Sequence, residues 1–151
     1  MPVDIIFHFL RKNLSLNNRT QLKQFLVKLA GKEGRKLSSL NFVFCSDQYL
    51  LKINKKFLNH SYYTDIITFQ LSDPAEPISA DIYISTDRVR ENAKTFESSL
   101  TVETHRVIFH GVLHLCGFKD KSPDEIQKMR QMENKYLSLY FKHSVSRGTV
   151  K

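Results

Sequence analysis

The segment His110-Gly-Val-Leu-His114-Leu-Cys-Gly117-Phe-Lys-Asp120 constrains this chain more than any other. Two histidines stand four residues apart in an apolar run. A glycine follows three residues after the second, and a carboxylate three after that. On an α-helix four residues turn through about 400°, so the imidazoles lie roughly 40° apart on one face, one turn above each other. Glycine accepts the left-handed backbone that closes a helix, so the helix is predicted to end at Gly117. The chain can then turn back and carry Asp120 toward the same point. Three convergent ligands without a fourth in the run are the pattern of a catalytic metal site with a position left for water.

The spacing matches the metzincin pattern H-E-x-x-H-x-x-G-x-x-H, whose third ligand lies six residues after the second. Here that third place is Asp120, and Gly111 occupies the place of the glutamate that serves peptidases as general base. A zinc-type geometry is therefore expected without conventional protease chemistry. A histidine pair at this spacing can also be merely structural. Against that stands its setting in I-F-H-G-V-L-H-L-C-G, where a buried, unpaired imidazole would cost on the order of 1–3 kcal/mol.

Charge points to the substrate. The chain carries a formal net charge of +8, and between Arg11 and Lys36 eight basic residues (Arg11, Lys12, Arg19, Lys23, Lys28, Lys32, Arg35, Lys36) face the single acid Glu33, a net +7. Such a segment can be a solubilising helix face. Combined with a metal site it points to a polyanion, RNA or DNA first. At 151 residues and 41% hydrophobic, the chain is long enough to bury a sizeable core, and its apolar runs are too short to span a bilayer. The first residues, Met-Pro-Val-Asp-Ile-Ile-Phe-His, lack a basic start followed by a long apolar region, so no secretory signal is expected. Cys45 and Cys116 are expected as reduced thiols in the cytosol, Cys116 facing the core.

Periodicity predicts an α+β domain with one mixed four-stranded sheet, in the order β-α-β-α-β-β-α-α-α. Val3 to Phe9 alternates as a strand. Asn17 or Asn18 is expected to cap a helix with Leu22, Phe25, Leu26 and Leu29 inward, ending near Gly31. Leu40, Phe42 and Phe44 mark a second strand. Ser46 then caps a helix placing Leu50, Ile53 and Phe57 inward. Asp65–Leu71 and Ala80–Ile84 read as an antiparallel hairpin, followed by a helix with Val89, Ala93 and Phe96. The histidine helix is expected from about Thr101 to Cys116. Ser122-Pro123-Asp124-Glu125 opens the last helix as a capping box with proline at its first position, and its face is Ile126, Met129, Tyr136 and Tyr140. One domain is expected over residues 1–143, with 144–151 a frayed tail.

The run H-G-V-L-H-L-C-G-F, the upstream Thr64-Asp-Ile-Ile-Thr-Phe69 and the strand Ala80-Asp-Ile-Tyr-Ile-Ser85 resemble, in that order, the YbeY family of bacterial metal-dependent endoribonucleases, over about residues 3–140. The resemblance implies a mixed four-stranded sheet with a metzincin-like zinc helix. It implies one Zn2+ held by His110, His114 and Asp120, and single-strand-specific cleavage in small-subunit rRNA 3′-end maturation and ribosome quality control. Precursor ribosomal RNA and the ribosomal subunit are the implied partners, in the cytoplasm and away from membranes; the oligomeric state is open, with a monomer expected. The family's motif usually ends G-Y-D-H where this chain has G-F-K-D. It also commonly carries an arginine where this chain has Leu58, with His60, Lys55 and Lys56 nearby as substitutes.

No residue is identified as general base. Asp65 can orient a metal ligand or only fix the turn into its strand. Tyr62 and Tyr63 can stack on bases or only flank that strand. Arg106, Lys119 and Lys121 can hold phosphate or lie on a solvated surface, and His105, about 140° off the ligand face, is not expected to bind the metal. Three rivals remain: a ribosome-associated RNA-binding factor with structural zinc, a metal-dependent hydrolase of another substrate, and a non-haem iron oxygenase, which shares the two-histidine, one-carboxylate set.

Overall fold

The computed structural model describes residues 2–146, with side chains through residue 142. The elements are β1 (Asp4–Phe9), α1 (Arg19–Lys32), β2 (Leu37–Cys45), α2 (Asp47–Leu58), β3 (Ile66–Gln70), β4 (Ile78–Ser85), α3 (Thr86–Thr95), α4 (Leu100–Leu115) and α5 (Pro123–Ser146). This is the expected α+β order. The sheet runs β1-β2-β4-β3, with β1, β2 and β4 parallel and β3 antiparallel to β4.

The period-2 alternation of the strands sorts their side chains onto two faces. Ile5, Leu40, Phe42, Phe44, Ile82 and Ile84 join α1, α4 and α5 in the main core. Ile67 and Cys45 face the other way and pack with Leu50 and Ile53 of α2. Helix α4 is the central helix, buried along Val107, Ile108, Phe109, Val112 and Leu113. Its closeness to the sheet depends on Gly111, where a Cβ would lie 2.9 Å from Ile66 Cδ1 and 3.3 Å from Ile82 Cγ2. Among the described residues no helix is long and apolar enough to cross a membrane.

Several local expectations require correction. Asn18 stands at the N-cap of α1 but is left-handed (φ 55°), and its side chain makes no cap hydrogen bond. The helix does end near Gly31, at Lys32, but the left-handed turn that follows is taken by Gly34 (φ 78°). Phe57, Phe96 and Ile126 are 60%, 56% and 52% exposed rather than inward, because helical phase places a residue on a face without requiring a partner to cover it. The last helix continues to Ser146, beyond the expected start of the tail; residues 147–151 of that tail lie outside the described residues.

Candidate active site

Two capping motifs position the third candidate ligand. At the end of α4 the amide of Gly117 (φ 114°) donates to the His114 carbonyl (3.0 Å), and that of Phe118 to the Leu113 carbonyl (3.1 Å). This is a Schellman closure, with Phe118 packing back on the core. At the start of α5 the Ser122 hydroxyl accepts from the Glu125 amide (3.2 Å), while the Glu125 carboxylate accepts from the amides of Ser122 (3.0 Å) and Lys121 (3.1 Å). The intervening turn is held at both ends, and it delivers Asp120 Oδ2 to 3.2 Å from His110 Nε2.

His110 is the centre of the site. Its Nδ1 meets Glu133 Oε2 of α5 at 2.6 Å, and its Nε2 faces Asp120. With Nδ1–H donated to Glu133, the lone pair of the neutral ring sits on Nε2, the arrangement by which a carboxylate orients a metal-binding histidine. Two donors at roughly 2.0–2.2 Å from one tetrahedral ion stand about 3.3–3.5 Å apart, so the Nε2–Oδ2 spacing fits shared ligation. His114 lines the same cavity but is exposed, not buried as its apolar neighbours suggested. Among the described residues no three or more His, Cys, Asp or Glu side chains stand close enough together to hold a metal ion as they are oriented; His114 would have to change rotamer to join His110 and Asp120, a ps–ns motion for an exposed imidazole.

Two cavities, of about 300 and 270 Å³, flank His110, Asp65 and Asp120, which line both. Electrostatically the site is rich in carboxylates. Burial alone would lower the His110 pKa, but the hydrogen bond to Glu133 and the charges of Glu133, Asp65 and Asp120 outweigh it and raise the pKa above its ordinary value. The Asp65 carboxyl is raised as well, first by burial and further by Glu133 and Asp120, against the lowering effect of His110. A proton or a cation at His110 Nε2 answers the same local excess of negative charge. His110 Nε2 and Asp120 Oδ2 therefore suit a divalent metal as they stand, with the His114 imidazole on the same cavity wall as the third donor.

The remaining candidates separate. Asp65, just before β3, is at the centre, with its carbonyl also accepting from the Ser85 amide (2.9 Å). Arg106 lines one cavity, but its guanidinium is committed to Glu103 (3.2 Å), Glu133 (3.3 Å) and Asn134 (2.8 Å), so it braces Glu133 rather than standing free for phosphate. Lys119 and Lys121 are exposed and line neither cavity. Leu58 and His60 line the second cavity together with Tyr62, whereas Lys55, Lys56 and Tyr63 do not; Tyr63 lies over Arg88 instead (5.6 Å). None of the eight basic residues between Arg11 and Lys36 lines either cavity, which corrects the expectation of a basic face beside the site. Several have structural work: Arg11 pairs with Asp87, and Arg19 and Lys23 cover Phe9 and Phe7.

His105 is remote from the ligands, as expected, in a cluster with Phe109, Tyr140 and Phe141. Cys45 and Cys116 are free thiols, and Cys116 packs against the main core. Gly111 explains the missing peptidase base: its Cβ direction points at Ile66 and Ile82 of the sheet. Sequence reasoning missed Glu133. A signal existed, since Glu133 lies four residues after Met129 and three before Tyr136, a carboxylate on the buried stripe of α5.

A family model for Endoribonuclease YbeY matches residues 9–140. The chain is 45% identical over 140 residues to the Endoribonuclease YbeY of Cytophaga hutchinsonii, covering 92% of this chain and 98% of that one. It is 46% identical over 106 residues to that of Parabacteroides distasonis, covering 70% and 74%. A solution structure of a Thermotoga maritima protein shares the fold at a TM-score of 0.62 and 23% identity, covering 97% of this chain and 93% of that one. By the family match across most of its length and by these identities, the chain belongs to the Endoribonuclease YbeY family.

Proposed function

We propose that this chain is a zinc-dependent, single-strand-specific endoribonuclease that acts in small-subunit rRNA 3′-end maturation and ribosome quality control. The nuclease assignment, hydrolysis of RNA phosphodiester bonds, follows from family membership. The observation that carries the metal reading is His110 held between Asp120 (3.2 Å) and Glu133 (2.6 Å), with His114 on the wall of the same cavity.

His110 Nε2, His114 and Asp120 would hold the ion. When bound, zinc supplies Lewis-acid polarisation of the scissile phosphate, activation of the attacking nucleophile, or both. The chain's own groups do the rest. Glu133 keeps the His110 proton on Nδ1, and Arg106 holds Glu133 in place from the outer side. Asp65, whose carboxyl is raised by burial between the two cavities, is placed to accept a proton from the attacking group. A carboxylate at the third position in place of a neutral imidazole lowers the net charge at the ion, so the metal preference is broader than with three histidines. Three ligands open to a cavity favour this reading over a structural zinc, which is closed by four.

The chain is further proposed to work as a cytoplasmic, single-domain monomer on precursor ribosomal RNA in the ribosomal subunit. The test is incubation of the purified protein with precursor ribosomal RNA, with and without a chelator, beside His114→Ala protein shown by circular dichroism to be folded. Loss of cleavage in both, with loss of zinc in the variant, is expected. Cleavage at the wild-type rate by folded, zinc-free His114→Ala protein would sink the proposal.

A further inference from the structure

Asn54 of α2 is a polar side chain left only 2% exposed on the wall of the second cavity. It directs its hydrogen bonds to the segment that follows the helix. Its side-chain amide donates to the Tyr62 carbonyl (2.9 Å), and its main-chain carbonyl accepts from the His60 amide (3.1 Å). Asn59, in the left-handed region (φ 57°), makes the turn between them. Held this way, the rings of His60 and Tyr62 stack with centroids 5.0 Å apart and planes 20° from parallel, and the Tyr62 hydroxyl meets His60 Nδ1 at 3.0 Å.

These rings build no core. Tyr62 is 58% exposed and His60 is exposed, yet both line the cavity that contains His110, His114 and Asp120. An aromatic pair held by its own stack and hydroxyl–imidazole hydrogen bond, on a main chain anchored by a buried amide, is pre-organised for a ligand, because its ordering cost is met before binding. The ligand chemistry follows from the surface offered: a flat π-face with a polar edge, on the cavity of a ribonuclease site.

We propose that the His60–Tyr62 pair is a stacking platform for one unpaired nucleobase of the RNA substrate, next to the phosphate to be cut. The inference rests on the ribonuclease reading above and deepens it by naming residues that set strandedness. A base inside a duplex has both faces covered by its neighbours, so the platform accepts splayed, single-stranded RNA and rejects paired RNA.

The test is equilibrium binding of a short single-stranded RNA to the zinc-loaded protein, repeated with an abasic nucleotide placed in turn at each position of the RNA. Wild type, Tyr62→Leu and Tyr62→Phe proteins are compared. Tyr62→Leu is expected to bind the intact RNA about tenfold more weakly, a typical loss for one base–aromatic stack, while Tyr62→Phe keeps most of the affinity. One abasic position should weaken the wild type by a similar factor and leave Tyr62→Leu unchanged. If wild type and Tyr62→Leu respond equally to every abasic position, the platform is wrong even where cleavage is intact. Wild-type protein that cuts no RNA overturns the ribonuclease reading instead, and the binding comparison still decides whether the platform exists.

Discussion

Replacing Glu133 with glutamine probes the link between α5 and the metal site. Glu133 is 6% exposed, with Oε2 at 2.6 Å from His110 Nδ1 and Oε1 at 3.3 Å from Arg106 Nη1. Glutamine preserves the shape but offers one acceptor oxygen for two donors. If that oxygen stays with Arg106, an amide N–H faces His110 Nδ1 and forces the imidazole into its other tautomer. Nε2 then carries the proton, and the lone pair facing Asp120 is gone. Loss of such an orienting carboxylate lowers metal affinity by about 10–100-fold, or about 1.4–2.7 kcal/mol. The metal-free fold loses a charge-assisted hydrogen bond, about 1.5–3 kcal/mol, offset in part by relief of repulsion among Glu133, Asp65 and Asp120. The assay is a zinc titration against a chromophoric chelator, paired with thermal unfolding with and without zinc. At equal free zinc above both dissociation constants, the stabilisation by zinc should shrink by the same 1.4–2.7 kcal/mol or so. Folded Glu133→Gln protein that binds zinc within about twofold of wild type refutes the role assigned to Glu133.

Two further outcomes follow from the packing around α4. Gly111→Ala gains about 1 kcal/mol of helix propensity and loses a similar amount against the movable end of Ile66, 2.9 Å from the new Cβ; Gly111→Val presses two more methyls on Ile66 and Ile82 and should lose about 3 kcal/mol. Denaturant unfolding that ranks valine with alanine would contradict the close approach of α4 to the sheet. His105 has its pKa lowered by burial, against the raising effect of its hydrogen bond to the Thr101 carbonyl. As pH falls through the ordinary value of 6.5, the unfolded chain takes up a proton that the folded chain refuses. Its stabilising contribution is therefore complete above that pH and declines below it. The stability difference between His105→Phe and wild type should be flat above about pH 7.5 and shift toward the variant from about pH 6.5 downward; a pH-independent difference would refute it.

What could be read along the chain was local. The helical phase of His110 and His114, the glycine closure at Gly117 and the Ser122–Glu125 capping box each depend on groups a few residues apart, and all stand as the spacing implied. Failures came where a partner from elsewhere decided the outcome. Phe57, Phe96 and Ile126 have the right phase for burial but stay more than half exposed; Phe57 meets the edge of the packing at Phe69, and Phe96 lies under the Arg130 guanidinium. Arg106 has the charge to hold a phosphate but is engaged by Glu103, Glu133 and Asn134. The basic residues of α1 lie off the cavity walls although α1 packs on α4, Phe25 against Phe109 (5.2 Å between ring centroids), because Arg19 and Lys23 turn to Phe9 and Phe7 and Lys28 and Lys32 to solvent.

The sequence by itself determined the α+β order of elements, the histidine pair on one face of α4, and the chain reversal that returns Asp120 toward it. These follow from side-chain periodicity and capping chemistry, which act within a few residues. Only the tertiary structure decided that Glu133, 23 residues on from His110, orients its imidazole, that Asp65 stands between two cavities, and that Gly111 faces the sheet. These depend on how α4 packs against α5, β3 and β4. Such packing is set by the summed fit of many apolar surfaces, and no short stretch of the chain encodes it.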